Sequence, residues 1–317
     1  MIRKIIKQGN NSYTITLPIK WVRENGLEEG SEIELNPDNK KLICSTTQER
    51  PVKNISLNLK KYDKSLIVDK IIGAYILGYS EISISFDNLI VNHLSKTESI
   101  KQTKTLEVIE NICNQLIGIE IIDQKENYCL LADFSKSNKK EFNDVLKRVF
   151  ALIDQMFLDC LKGIQNNNIS LLSDLKYKKS NTRKMIYYCL RQIHLNENPD
   201  ENNLVAQQNI IFCLEQIMET LRLIGKENLN NLEKFNSNLI KIFKEIQFVF
   251  REYYYSFYSK KEDSGYNNKI QSYKNFKNLN KFYKSTNSMK EILLASRIST
   301  LSHFINKAVS STQYLKL

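Results

Sequence analysis

The sequence predicts an α+β multidomain chain: a small β-rich head, an α+β connector and an all-α body of six helices. Three observations carry the prediction. Only nine Gly and four Pro occur in 317 residues, which favours long uninterrupted helices over a turn-rich all-β chain. Strand-like alternation is confined to the first 135 residues or so, and from about Lys139 onward apolar residues recur at spacings of three and four. The boundaries that follow are 1–47 for the head, 48–135 for the connector and 139–317 for the body. The body divides into two three-helix sets at about 139–226 and 230–317.

In the head, Ile2 to Lys7 and Ser12 to Leu17 alternate around Gly9-Asn10-Asn11, a turn able to supply positive φ, and so form a hairpin. Pro18 sets φ for a first helical turn, Trp21 and Val22 give an apolar face, and Gly26 closes a helix of barely two turns. Ser31 to Leu35 alternates again, Pro37-Asp38-Asn39 turns the chain, and Lys41 to Thr46 returns. The order is β-β-α-β-β.

The connector predicts strands at Ile55 to Leu59 and Glu81 to Phe86, and helices at Lys64 to Gly78 and Glu107 to Leu116. Ile119 to Asp123 and Tyr128 to Asp133 form a hairpin around Gln124-Lys125-Glu126-Asn127.

In the body, the stripe Val145, Val149, Leu152, Met156, Cys160 illustrates the helical period. Helices are predicted over about 140–165, 170–195, 202–226, 230–261, 266–286 and 288–314. Breaks such as Gln165-Asn166-Asn167-Asn168 and Glu262-Asp263-Ser264-Gly265 separate them. Each set opens with a long helix, follows with a Lys-rich one and closes with an amphipathic one, a pattern that suggests internal duplication.

Hydrophobic residues make up 42% of the chain and charged residues 26%, an ordinary globular balance. Six Cys are scattered without a CxxC pair, so neither a zinc knuckle nor a disulfide framework is implied, and a reducing cytoplasm fits. Cys160, Cys189 and Cys213 fall at apolar helical positions, as buried small hydrophobes do. No signal-peptide core and no stretch of 18 uncharged apolar residues occurs, which predicts a cytoplasmic protein without membrane insertion.

Lys and Arg number 46 against 35 Asp and Glu, a net +11 that makes anionic partners worth weighing. The surplus is unevenly placed. Residues 1–23 hold Arg3, Lys4, Lys7, Lys20 and Arg23 and no acid, whereas residues 1–50 as a whole net only +1. Residues 141–317 hold 26 Lys and Arg against 17 Asp and Glu. That excess gathers around Lys176, Lys178, Lys179, Arg183 and Lys184, and in Lys274, Lys277, Lys281 and Lys284, a stripe stepping by three and four beside Tyr273, Phe276, Phe282 and Tyr283. Two readings stand: a solvated helix face, or an anion-binding surface with Lys179, Arg183, Lys274, Lys277, Lys281 and Lys284 as its cations.

The string RKIIKQGNNSYTITLPIKWVRENGLEEGSEIEL resembles the AbrB/SpoVT/MazE-type swapped-hairpin DNA-binding domain, with Gly9, Leu17, Pro18, Trp21, Gly26, Leu27, Gly30, Ser31, Ile33 and Leu35 in place. That resemblance implies two chains interleaving their hairpins into one small barrel and presenting a basic face to DNA. The implied DNA-binding residues are Arg3, Lys4, Lys7, Lys20 and Arg23, with Asn10, Asn11 and Ser12 at the turn able to donate to backbone or base edges. The whole chain is similar to archaeal phosphate-uptake regulators that fuse such a head to a PhoU domain. NTRKMIYYCLRQI at 181–193 and NIIFCLEQIMETLRLI at 209–224 resemble the second and third helices of the first PhoU repeat.

PhoU helices carry E(D)xxxD carboxylate pairs that hold clustered metal. Here a version remains only at Glu215-x-x-x-Glu219, the one candidate metal pair. Lys179 and Arg183 occupy the other expected position of the first repeat, and Lys277 and Lys281, then Ser296 and Thr300, those of the second. No cofactor is therefore expected. His93, His194 and His303 are isolated, and no GxSxG, P-loop or GxGxxG string occurs, so nothing supports an enzyme.

The function implied is transcriptional regulation of phosphate uptake or homeostasis. The expected partners are DNA, a second copy in a homodimer or higher homo-oligomer, and phosphate, polyphosphate or a phosphate-transporter subunit at the helical body. The alternative is a PhoU-like accessory protein that regulates a phosphate transporter by protein contact, its head serving only to dimerise.

Overall fold

A computed structural model describes residues 2–9, 12–38, 41–46, 53–60, 62–94, 100–134, 139–195, 201–230, 234–259 and 264–315. It divides into two compact units, 1–51 and 52–317.

The first unit runs β1 (Ile6–Gln8), β2 (Ser12–Thr14), α1 (Ile19–Glu24), β3 (Ile33–Asp38) and β4 (Lys41–Thr46). β1 and β2 pair antiparallel with Lys7 opposite Tyr13, and Gly9 takes φ +71 where the hairpin turns. These strands are shorter than the alternation predicted, while β3 runs on through Pro37 and Asp38, which pair with Leu42 and Lys41. Pro37 and Asp38 of the predicted turn are therefore strand residues, and Asn39 lies outside the described residues. Pro18 precedes α1 in extended geometry, and its carbonyl accepts from Val22 N at 3.0 Å.

The second unit opens with β5 (Asn54–Asn58), α2 (Lys64–Ile76) and β6 (Glu81–Ser85). The Asp63 carboxylate caps α2 by accepting from Leu66 N at 2.9 Å. The hairpin β7 (Ile90–Leu94) and β8 (Ile100–Lys104) follows, then α3 (Thr105–Cys113), β9 (Ile119–Lys125) and β10 (Tyr128–Asp133). The main sheet has the order β5-β6-β10-β9, with β5 and β6 parallel across the α2 crossover and the other pairings antiparallel. Ile82 and Ile84 on β6 and Cys129 and Leu131 on β10 alternate inward, forming a core with Ile67, Ile71 and Tyr75 of α2 and Ile109 of α3.

Among the described residues six long helices follow: α4 (Lys139–Gln165), α5 (Ile169–Leu195), α6 (Glu201–Glu227), α7 (Ser237–Tyr258), α8 (Ser264–Tyr283) and α9 (Met289–Tyr314). The fourth predicted helix starts seven residues later than 230, because Asn236 caps α7 by accepting from Asn238 N at 2.9 Å. Ser288 caps α9, and Glu291 in its first turn accepts from Asn236 N at 2.9 Å and from the Thr286 hydroxyl at 2.6 Å, tying the starts of α7 and α9 together. The two sets meet like with like: α4 packs on α7 and α6 on α9, while α5 packs against α4, α6 and α2. Repeated elements meeting at equivalent positions is the arrangement a duplicated three-helix unit forms.

Connector and body are joined by buried polar chemistry. Arg191 of α5 is fully buried; it donates to the Asp133 carboxylate at the end of β10 and to the Tyr75 carbonyl, and its guanidinium lies 4.7 Å from the centre of the Tyr75 ring. Tyr187, one turn earlier, packs against both cores.

Two glycines set how closely α5 approaches its neighbours. A Cβ at Gly225 of α6 would lie 2.5 Å from Leu175 Cδ1 and 2.9 Å from the Leu172 carbonyl oxygen. At Gly163 of α4 it would meet only the Leu172 side chain at 2.5 and 2.7 Å, with the nearest backbone atom 3.5 Å away. Gly225→Ala is therefore expected to destabilise by about 1 kcal/mol, the overpacking cost of ~1–3 kcal/mol exceeding the helix-propensity gain of ~1 kcal/mol. Gly163→Ala, where a leucine can rotate away, should cost less, an order that thermal melts of the two variants check.

Cys113, Cys129, Cys160, Cys189 and Cys213 are free and buried. Burial pushes the Cys113 and Cys189 thiols up to about 12 and Cys129 and Cys213 up to about 11, and raises Cys160 as well. Among the described residues no helix is long and apolar enough to cross a membrane.

Candidate functional site

In the head, Arg3, Lys4, Lys7, Ser12, Lys20 and Arg23 are all exposed; Asn10 and Asn11 lie outside the described residues. Lys7 shares a hairpin face with Tyr13, itself exposed. The Ser12 hydroxyl donates to the Gln8 carbonyl, so its proton closes the hairpin and only its oxygen is left to accept. Lys20 pairs with Glu24 one turn on at 3.8 Å, both side chains well exposed, a contact of little energetic weight. No described residue of the head is buried, and Ile2, Ile5, Ile6, Ile19, Leu35 and Leu42 are all more than half exposed. A single copy of this unit therefore leaves its apolar side chains in water.

In the body, the predicted cations separate. Lys274, Lys277 and Lys281 along α8 and Lys284 just beyond its end are exposed. Phe282 is buried beside them and Tyr283 half-buried, but Phe276 is 55% exposed and does not pack as the spacing suggested, while the Tyr273 side chain is not among those described. Lys281 borders a shallow cavity of about 400 Å³ that also contains Lys241 and Glu245.

Lys179 and Arg183 fall in a different and richer place. Within α5 the spacing Lys176, Lys179, Arg183 aligns three cations on one face, while Lys178 turns the other way to pair with Asp159 of α4, itself held by Gln155 at 2.9 Å. Opposite, α6 presents Glu219, Arg222 and Lys226. Together they line a cleft of about 750 Å³, with Ser173 and Ser180 among its hydroxyls, Leu172 and Leu229 among its apolar lining, and Tyr177 and Gln115 completing the wall.

Among the described residues Glu219 is the single carboxylate of that lining, and three cations share it. Lys179 Nζ lies 2.9 Å from Oε2, Arg183 Nη2 3.6 Å from Oε2, and Arg222 donates Nη2 to Oε1 at 2.6 Å. Arg183 Nε also approaches Glu215 at 3.5 Å. Burial raises Glu219, but hydrogen bonds from Arg222 and Lys179 outweigh it and hold the carboxyl below its ordinary value. Burial raises Glu215, an effect Arg183 only partly offsets. Lys179 is lowered, chiefly by burial and further by Arg183 and Arg222, against the pull of Glu219.

These carboxylates do not fit the metal that the resemblance implies. A divalent cation at Glu219 would have to displace an ammonium and two guanidinium groups and then stand beside them, in a partly dehydrated site where like-charge repulsion is weakly screened. Among the described residues, no group of three or more His, Cys, Asp or Glu could hold a metal ion. The three histidines stay apart: His194 faces Gln208 at 3.0 Å, His303 is exposed beside Phe304, and the His93 side chain is not described.

The structure brings Lys179 and Arg183 to Glu215 and Glu219 and adds Arg222 and Lys226, which the sequence reading did not single out. Their spacing from Glu219, three and seven, was available as a signal that all three share a face of one helix.

Compared with known proteins, residues 6–50 match the family described as antidote-toxin recognition MazE, a bacterial antitoxin. The match falls on the segment that carries the AbrB/SpoVT/MazE resemblance, and the head is of that type. No curated protein matches the chain. Among solved structures, the phosphate transport system regulatory protein PhoU of Streptococcus pneumoniae aligns with a TM-score of 0.44 at 12% identity, covering 56% of this chain and 94% of that one.

Proposed function

We propose that the protein is a DNA-binding transcriptional regulator, acting in phosphate uptake or phosphate homeostasis, whose helical body is the sensing element. The observation that carries the reading is the head: a segment matching an antitoxin-type family, with five exposed cations and no acid in its first 23 residues. A second copy is part of the proposal. The exposed isoleucines and leucines of the head need a partner surface, and the same unit of another chain, interleaved with it, supplies one. A dimer then offers about ten cations to phosphates, with affinity falling on a log–log salt slope of about 0.9 per phosphate neutralised. Phosphate contacts position the head without specifying bases. Phosphate as the signal rests on the likeness of the 181–193 and 209–224 helices to PhoU repeats and on the paired three-helix sets.

The test is a gel shift of the full chain on fragments of its own genome across a salt series. Salt-sensitive binding is expected, and replacing Arg3, Lys7 and Arg23 by Ala should weaken it on every fragment and flatten the slope by about 5, six charges having left the dimer. Binding without salt dependence, or binding untouched by the triple variant, would remove the head as the DNA-binding element. It would leave a dimerisation unit attached to a regulatory body.

A further inference from the structure

We infer that the cleft between α5 and α6 is a binding site for a ligand carrying two or more linked phosphoryl groups. Among the described residues, five cations, Lys176, Lys179, Arg183, Arg222 and Lys226, line it against the one carboxylate of Glu219. Even with Glu215 counted as a neighbour, the positive excess is large for a partly enclosed space. The protein's own pairing leaves it unbalanced: Glu219 is shared among three cations, while Lys176 and Lys226 have no acidic partner among the described residues.

The groups are also held in place. The side chains of Lys179, Arg183 and Arg222 are 20%, 26% and 14% exposed, so a ligand meets donors that are already partly dehydrated and confined. Guanidinium forks suit tetrahedral oxyanions, and Ser173 and Ser180 add neutral donors.

Dimensions select the class of anion. Along α5 the cations from Lys176 to Arg183 span about 10 Å, seven residues at the helical rise. The volume of about 750 Å³ is that of a small-molecule site. One orthophosphate would reach only part of that row, whereas linked phosphoryl groups place charge along it. Two sources share this chemistry, an inorganic phosphate chain and the phosphate tail of a nucleotide. Tyr177 on the cleft wall, 67% exposed, is the group that would tell them apart by stacking on a base.

The inference deepens the sensory half of the proposed function and depends on it only for regulatory meaning, since ligand binding and DNA binding are read separately. The experiment is titration calorimetry of the full chain with tripolyphosphate, ATP and orthophosphate. Tripolyphosphate or ATP is expected to bind at least about tenfold more tightly than orthophosphate, and more weakly as salt rises. Lys176→Gln with Lys226→Gln, both exposed and without an ion pair among the described residues, should weaken binding by about tenfold to a hundredfold. The exposed pair Lys244→Gln with Lys307→Gln should leave it unchanged. ATP binding more tightly than tripolyphosphate, with Tyr177→Ala erasing the difference, supports a nucleotide; equal or tighter tripolyphosphate binding supports an inorganic chain. Equal affinity for orthophosphate, no effect of the cleft pair, or an equal loss from the distant pair overturns the inference. The Arg3, Lys7, Arg23 triple variant should keep full tripolyphosphate affinity, so failure of the head and failure of the cleft remain distinguishable.

Discussion

Replacing Phe150 by alanine is expected to cost about 4 kcal/mol of stability, read as a lowered urea midpoint for the full chain. Phe150 is fully buried on α4, and its ring lies 5.3–6.1 Å from those of Phe250, Tyr253, Tyr254, Phe257 and Tyr258, all on α7. Truncation removes the transfer energy of a ring, opens a cavity, and deletes several tilted and edge-on aromatic contacts at once. Tyr253 cannot simply fill the space, because its hydroxyl is tied to Thr312 of α9 at 2.9 Å. Phe150→Leu keeps most of the volume and should cost about 1–2 kcal/mol. The position also lies between the two three-helix sets. An unchanged urea slope would mean the sets still unfold together, and a reduced or biphasic one would mean they have become separate cooperative units.

Arg191→Met should lower the melting temperature by about 10 °C. The variant takes the guanidinium from Asp133, whose side chain is only 8% exposed, and removes one donor from the Tyr75 carbonyl. Breaking a buried pair from one side costs about 3–5 kcal/mol, at about 2–4 °C per kcal/mol for a unit of this size. Most of that loss is the cost of a buried carboxylate that has lost its cation rather than the worth of the pair itself. The double variant Arg191→Met with Asp133→Leu is therefore expected to regain a large part of it. If it regained none, packing of Arg191 on Tyr75 rather than charge would be what joins the sheet to α5.

Helix existence was legible because the signals were strong: 27-residue amphipathic runs such as α4, ended by Asn-rich breaks, leave little choice of period. The ends were less legible. Residues 230–236 continue an acceptable helical composition, and only the cap at Asn236 decides that α7 starts where it does. The β7–β8 pair went unread because Ile90–Leu94 and Ile100–Lys104 are short and their sequences, IVNHL and IKQTK, do not sustain an apolar–polar alternation. The parallel β5–β6 pairing is a tertiary choice, made when α2 crosses the sheet, and no local pattern specifies it. Of the cleft, the α5 row could be read as a charge stripe, but its meeting with Arg222 and Lys226 depends on how closely α5 and α6 pack, where Gly225 lets the two helices approach. Arg191 was unreadable for the opposite reason: a lone arginine in a helical run looks like surface, and only its partners 58 and 116 residues earlier bring it inside.

The five buried thiols give the molecule a built-in set of clocks. With burial pushing the Cys113 and Cys189 thiols up to about 12, the thiolate is scarce at neutral pH, so an alkylating reagent reacts only when the surrounding structure opens. Cys160, Cys189 and Cys213 stand on α4, α5 and α6, and Cys113 and Cys129 on the sheet side of the Arg191 junction. The sequence of their modification, followed by mass spectrometry without introducing any label, would read out which layer loosens first and whether filling the cleft slows the opening of α5 and α6 ahead of the rest.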